Sequence, residues 1–225
     1  MDIDTIRASM DEASFSQEYE NRFIGEEDSY FPYALLKQCV NPELANTHPD
    51  RTDLNYHIGV DFGRKKDMTA IVALENHTIA GKHIRKVSHI KLFRNTPFDQ
   101  QLAHIRGLLA NPLITQCRVD SSGMGLPLNE QLRDEFHSKI SGITFTNDLK
   151  ERLMVSLKLL FEQRAIEIPN DPQLITSLHL IQRKQTPGSH VQFDSPRTDT
   201  TGHSDLAWAL ALATYAAPQP SWHLA

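Results

Sequence analysis

The sequence predicts an α/β domain with a central mixed β-sheet flanked by α-helices, and three stretches predict it. Tyr56–Phe62 and Met68–Leu74 are apolar, β-branched runs on either side of a short turn of glycine and charge, the pattern of a β-hairpin. A helical period over Phe98–Leu109 leads into a short apolar run, Ile114–Val119. Strand, helix and strand in that order make a crossover, which sets the new strand parallel within the same sheet. Finally, Thr201–Ala213 is apolar nearly all round, as a helix buried on every side must be.

The bounds agree with one such domain. The chain has 225 residues, 40% hydrophobic and 23% charged, enough for a real core plus extra segments. No apolar run is long enough to span a bilayer and the N-terminus lacks a signal-peptide pattern. Cys39 and Cys117 stand far apart with no metal spacing, so a reducing, cytoplasmic setting is expected. The net charge of -5 hides an asymmetry. Residues 1–50 carry 3 basic and 11 acidic side chains, and the remainder carries 20 basic and 17 acidic. An acidic leader therefore precedes a mildly basic body, and electrostatic steering belongs to the body.

Taken in order, residues 1–50 read as an acidic linker or extension, 51–217 as the domain and 218–225 as a tail. The leader has an amphipathic hint at Phe15, Tyr19 and Phe23, and Phe31–Leu36 suits a short helix with Pro32 in its first turn. It is expected to dock on the body or to join a larger neighbour. After the hairpin, Lys82–Phe93 alternates loosely and predicts a third strand, with its lysines guarding a sheet edge or offering a basic face to phosphate. Asn95 or Thr96 is placed to cap the helix from Phe98, and Pro112 follows its end. Leu128–Phe136 predicts a helix and Ile140–Phe145 a strand. Thr146-Asn147-Asp148 caps a long amphipathic helix reaching about Arg164. Ile166–Pro169 is a brief strand, Asp171-Pro172 opens a helix through Ile181, and Arg183–Thr200 reads as a hairpin-like excursion.

Three aspartates occupy comparable places. Asp61 ends the first strand, Asp120 ends the strand after the crossover, and Asp205 lies in the first turn of the last helix. A carboxylate at the end of a buried strand is costly unless a cation or donors hold it. In open α/β sheets such strand ends are where ligands bind. Plainer roles exist for two of them: Asp120 could cap the next helix, and Asp205 could answer its own helix dipole. Three carboxylates sharing a pocket repel unless cations intervene. Two divalent ions about 3.5–4 Å apart would resolve the repulsion and cleave a phosphodiester, one activating water and the other stabilising the leaving 3′-oxygen. Hard oxygen ligands suit Mg²⁺ or Mn²⁺. Asp61 is expected to bridge the ions, with Asp120 on one and Asp205 on the other. Asp67 is expected to be a turn residue carried away from the strand end. Gly59 and Gly63 admit close approach of backbone or ligand. Gly123-x-Gly125 hints at a phosphate loop but lacks the lysine of one.

Several motifs resemble one family. Gly59-Val60-Asp61-Phe62-Gly63 with Lys66-Asp67-Met68-Thr69, then Val119-Asp120-Ser121-Ser122-Gly123-Met124-Gly125, then Gly202-His203-Ser204-Asp205 before an Ala/Leu helix, resemble the nuclease domain of the large terminase subunit of tailed bacteriophages. The resemblance covers about residues 15–217, and Gln17–Phe23 is similar to the family's junction between packaging ATPase and nuclease. It implies an RNase H-like (retroviral-integrase-type) fold and a metal-dependent endonuclease that cuts concatemeric viral DNA during packaging in the host cytoplasm. It also implies His203 beside the metals, and as partners double-stranded DNA, the packaging ATPase domain, the small terminase subunit and the portal. The second acidic position is Glu in some relatives and Asp here. No G-x-x-x-x-G-K-[ST] stretch occurs in the chain, so the packaging motor must come from elsewhere. Arg64, Lys65, Lys66, Lys150 and Arg152 are candidates for phosphate contact, each with a solvated surface role as the plain alternative.

Three rivals are distinguishable. Ile58–Gly63 also resembles the first phosphate motif of actin-like or Hsp70-like ATPases, but the second phosphate hairpin and the adenosine motif are missing. A junction resolvase would share the carboxylates without the terminase-like segments. A catalytically silent docking module would show no metal-dependent nicking.

Overall fold

The computed structural model describes residues 29–44, 46, 49, 53–63, 68–122, 125–185, 191–196 and 204–216. Its centre is a six-stranded mixed sheet of β1 (Asn55–Asp61), β2 (Thr69–Ile79), β3 (Lys82–Phe93), β4 (Ile114–Asp120), β5 (Ile140–Ile143) and β6 (Ile166–Glu167). The strand order is β5-β4-β1-β2-β3-β6. β1, β2 and β3 form an antiparallel meander, and β4 joins β1 in parallel, followed by β5 parallel to β4. The α/β class, the hairpin with its third strand, and the parallel placing of β4 after the crossover are those the sequence predicts.

The crossover from the meander to β4 is α2 (Phe98–Ala110), and α3 (Gly125–Phe136) leads to β5. These helices cover one face of the sheet. Tyr56, Ile58 and Val60 of β1 pack there with Leu102, Ile105, Leu108 and Leu109 of α2 and Leu132 of α3. The opposite face, with Ala70, Val72, Leu74 and Val87, packs on α4 (Asn147–Glu162), α5 (Pro172–His179) and α6 (Asp205–Ala216). Because both faces are covered, β1 and the first seven residues of β2 are buried almost without interruption.

α6 is the axis of the second layer. A Cβ on Gly59 would collide with the Ala209 carbonyl oxygen and the Ala213 amide nitrogen. Glycine in the middle of β1 thus lets the helix backbone lie directly on the strand. Ala207, Ala209, Ala211 and Ala213 keep the helix thin, and all are fully buried.

The segment from Ser29 onward belongs to this core. Ser29 bridges to Gln182, Val40 bridges to Ile168, and a short helix α1 (Tyr33–Lys37) lies between them. Phe31, Leu36 and Cys39 are buried against α4 and α5. A separate two-stranded sheet, β7 (Gln182–Gln185) with β8 (Val191–Asp194), is the hairpin-like excursion. Both cysteines are free and buried, and burial pushes the Cys117 thiol up to about 12.

Some local expectations need correction. Thr96 does not cap α2: its hydroxyl donates to Arg94 O, and Pro97 takes the cap position without a side-chain bond. α3 begins at Gly125, three residues earlier than the apolar period suggests, because Pro127 falls in the first turn, where its missing N–H costs nothing. β2 continues past Leu74 to Ile79, since ladder bonds to β3 and a tight turn at Ala80-Gly81, both at positive φ, carry polar residues as well as apolar ones. β3 is not a bare edge: β6 pairs with it at Arg85 and Lys86, and Lys86 forms an ion pair with Glu167 at 3.1 Å. The caps at Thr146 and Asp171 are as predicted, each accepting from the N–H three residues on, Leu149 and Leu174.

Candidate active site

Asp61 is the last residue of β1 and Asp120 the last of β4. The two strands are hydrogen-bonded neighbours running in parallel, with Val60 opposite Val119. The aspartates therefore sit one step further on, side by side at the carboxyl end of the sheet, on strands spaced roughly 4.8 Å apart. Period-two alternation puts Asp61 on the face of Gly59, the face that α6 covers.

Asp205 arrives from that helix. It is the first residue of α6, and its Oδ2 accepts from Met68 N–H at 3.2 Å. Met68 directly precedes β2, where Ala70 is paired with Asp61. One hydrogen bond thus ties the opening of the last helix to the end of the sheet that carries the other two carboxylates. Asp205 bonds a distant backbone segment, so the helix-dipole explanation is insufficient for its placement.

Asp120 is held by its own turn. Ser122 N–H donates to Asp120 Oδ1 at 2.8 Å, and Ser122 Oγ accepts from Phe145 N–H at 3.1 Å. Ser121 N–H donates to Ile143 O at 2.9 Å. The turn is thereby laced to the end of β5. Gly125 has a structural reason: a Cβ there would collide with the Asp120 carbonyl oxygen. That close approach explains the glycine without any phosphate loop.

The three carboxylates are 9%, 9% and 4% exposed. Burying three acids at one sheet end demands compensating charge or donors. Among the described residues, no three His, Cys, Asp or Glu side chains close into a ready cage for one ion. A Mg²⁺ or Mn²⁺ site of this type does not need one, because such ions keep several waters and take one or two carboxylates each. The donor set, hard oxygens on two strands and a helix, fits those ions.

The other candidates divide. Lys150, in the first turn of α4, lies at the same end of the sheet and places its ammonium 4.9 Å from the Trp208 ring and 5.5 Å from the Phe145 ring. Arg152 is exposed on the same helix. His203, Arg64, Lys65, Lys66 and Asp67 lie outside the described residues. Sequence reasoning missed Ser122 and the Phe145–Trp208 pair, whose ring centroids are 5.3 Å apart. Only the small residues after Asp120 hinted at the first.

A mixed sheet in this order, with acids on the ends of two adjacent parallel strands and on the helix that crosses them, defines an RNase H-like domain. More narrowly, the family described as Terminase RNaseH-like domain matches residues 58–216, and the chain belongs to that family. It is similar to the large terminase subunit of Thermus phage G20c, 25% identical over 92% of this chain and 42% of that protein. It is also similar to the terminase ATPase subunit of Escherichia phage P2, 23% identical over 92% of this chain and 36% of that protein. The chain thus spans about two-fifths of the length of these relatives. Among solved structures, the G20c large terminase nuclease superposes with a TM-score of 0.70 at 21% identity, covering 85% of this chain and all of that one. The nuclease domain of bacteriophage SPP1 with bound Mn gives 0.54 at 18% identity, covering 79% and 96%. These likenesses bear out the RNase H-like fold.

Proposed function

We propose that this chain is the nuclease module of a phage or prophage large terminase, a metal-dependent endonuclease that cuts concatemeric double-stranded viral DNA during packaging. The observation that carries the reading is the placement of Asp61, Asp120 and Asp205 at one end of the sheet. Family membership supports it, and so do a structure of the G20c nuclease with bound magnesium and the manganese-bound SPP1 domain.

Asp61, at the centre of the sheet, would share both ions, with Asp120 and Asp205 each completing one. Bound there, Mg²⁺ or Mn²⁺ would offset the carboxylate charge, lower the pKa of a water and stabilise charge on the leaving oxygen. The protein's own work is positioning. Ser122 N–H orients the Asp120 carboxylate, and Met68 N–H orients that of Asp205. His203 would tune or join the set. Arg64, Lys65, Lys66, Lys150 and Arg152 would meet DNA phosphates without reading sequence. The missing motor would be a packaging ATPase domain, with the small terminase subunit and portal as further partners in the host cytoplasm. No helix among the described residues is long and apolar enough to cross a membrane.

The test is nicking of supercoiled plasmid with Mg²⁺ or Mn²⁺, with and without EDTA. Asp61→Asn, Asp120→Asn and Asp205→Asn keep shape and remove charge. Each is expected to lower nicking by at least about 100-fold, the scale of losing preorganised electrostatics, and to weaken Mn²⁺ binding by calorimetry. The metal-free variants are expected to unfold at equal or higher temperature, because repulsion is relieved. Full activity in Asp61→Asn or Asp205→Asn would end the two-metal reading. A strong preference for branched over linear duplex would turn it toward a resolvase.

A further inference from the structure

We infer that Lys150 grips a backbone phosphate of the duplex next to the one being cut, with Phe145 and Trp208 as the shelf that aims it. This rests on the nuclease reading above and deepens it from a set of basic candidates to one positioned group.

The shelf is built from the segments that carry two of the carboxylates. Phe145 N–H donates to Ser122 Oγ, and Ser122 N–H donates to Asp120 Oδ1. Trp208 lies three residues after Asp205, one turn along the same side of α6. The two rings meet at 50°, and the Lys150 ammonium stands over both. Movement of the Asp120 turn or of the α6 start would therefore carry the lysine with it.

Its environment differs from that of the paired lysines, and where Lys91 stands over the single ring of Phe93 at 5.5 Å, Lys150 stands over two. Lys86, Lys158 and Lys184 each have a carboxylate partner within 4.0 Å. Lys139 donates to two backbone carbonyls. Among the described residues, Lys150 has no carboxylate within ion-pair distance, and aromatic faces hold it instead. A π-face attracts the charge but uses none of the three N–H donors in a conventional bond. The helix gives no local reason for the residue, since a cation in a first turn opposes the helix dipole. What the ammonium lacks is an oxyanion. DNA approaching three carboxylates must bring its phosphates past this corner, where the repulsion has to be countered.

The experiment uses the whole chain with Lys150→Met, which retains a straight apolar stem on the rings, Lys150→Gln and Lys150→Arg. Binding of a labelled duplex in EDTA is measured across a salt series, and nicking kinetics are measured with Mn²⁺. The Met and Gln variants are expected to lower the slope of log affinity against log salt by about one, the signature of one lost phosphate contact. KM is expected to rise about tenfold with kcat changed far less, and Mn²⁺ affinity to stay as in wild type. Arginine is expected to restore the slope. An unchanged slope and KM in both Met and Gln variants, with wild type nicking, overturns the assignment and leaves the nuclease reading intact. A wild type that fails to nick under any metal overturns the nuclease reading, and the EDTA binding slopes still decide the lysine. A wild type that binds no duplex in EDTA overturns the lysine assignment.

Discussion

The two ends of the β1–β4 pair have opposite chemistry on the same face of the sheet. β1 presents His57, Gly59 and Asp61 there, and β4 presents Gln116, Arg118 and Asp120 in register beside them. At the carboxyl end are the acids and the start of α6. Toward the amino end are His57, beside Gln116, and the last turns of α6, and the Arg118 side chain reaches that way from its place beside Gly59; Arg85 of β3 and Arg118 both act on His57. Arg118 stands over the Tyr215 ring at 5.9 Å. Gly59 marks the midpoint, where α6 touches β1. The helix runs antiparallel to β1, so its positive pole lies at the acids and its negative pole at the arginine. A single buried helix therefore complements both ends. The basic end is answered by the fold alone, through burial of a neutral imidazole and a cation on a ring. The acidic end is where the proposed chemistry belongs.

The largest expected change in stability comes from the midpoint. In Gly59→Ala the added Cβ meets backbone atoms of α6, which cannot swing aside as a side chain can. Overpacking against backbone is expected to cost about 3 kcal/mol or more. Urea unfolding at neutral pH, followed by circular dichroism, measures it. A loss under about 1 kcal/mol would show that α6 can lift off the sheet and that the two ends are not fixed by one helix. Gly125→Ala makes an internal control, since its clash is with the Asp120 carbonyl and concerns the acidic end only.

How far the sequence reveals this arrangement depends on range. The sheet was legible because each strand announces itself locally, by an apolar run, a turn or a crossover helix, and because crossover geometry leaves little choice of order. Asp61, Asp120 and Asp205 were legible as termini of elements. The Lys150 shelf was not, because Phe145, Lys150 and Trp208 meet only after α4 and α6 pack, and no periodicity links them. That the Phe31–Leu36 segment docks on the body was expected, but where it docks was hidden: a segment with five helical residues carries little pattern, and its place is set by bridges to Gln182 and Ile168. Gly59 and Gly125 invite a ligand reading in the sequence, while both serve close approach of protein backbone.

The basic end makes a second prediction, in pH. Burial first, and then the charges of Arg85 and Arg118, pull His57 down from 6.5 to about 4. The unfolded chain therefore binds a proton that the folded chain refuses between those values. The stability gained by keeping His57 neutral is whole above pH 6.5 and is lost as pH falls toward 4. Its full size is about 3 kcal/mol at 1.36 kcal/mol per unit. Urea titrations between pH 7.5 and 4.5 are expected to show a steeper acid loss in wild type than in His57→Leu. The leucine variant should match wild type at neutral pH, because Nδ1 has no hydrogen-bond partner to lose. Parallel curves across the acid range would mean that folding does not hold the His57 imidazole below its ordinary range.

The smallest effect is expected at Ser204, directly before Asp205. Its φ is 62°, in the left-handed region, and the residue is fully buried. Its carbonyl accepts from Ala207 and Trp208 N–H, so the backbone conformation is what starts α6. The hydroxyl contributes nothing visible, since Oγ is buried without a hydrogen-bond partner. A non-glycine residue at this φ costs roughly 1–2 kcal/mol, and burying an unmatched hydroxyl adds to that. Ser204→Gly removes both penalties and is opposed by the greater freedom of glycine in the unfolded chain, roughly 0.5–1 kcal/mol. The net expectation is stabilisation of about 1 kcal/mol by thermal and urea unfolding. The same change should loosen the hold on Asp205, because strain kept beside a working group fixes its direction. More stable protein with slower nicking would place Ser204 among the devices that aim the acidic end. More stable protein with unchanged nicking would assign the aim to the Met68 hydrogen bond, and a destabilised variant would mean that Ser204 carries a contact its geometry does not suggest.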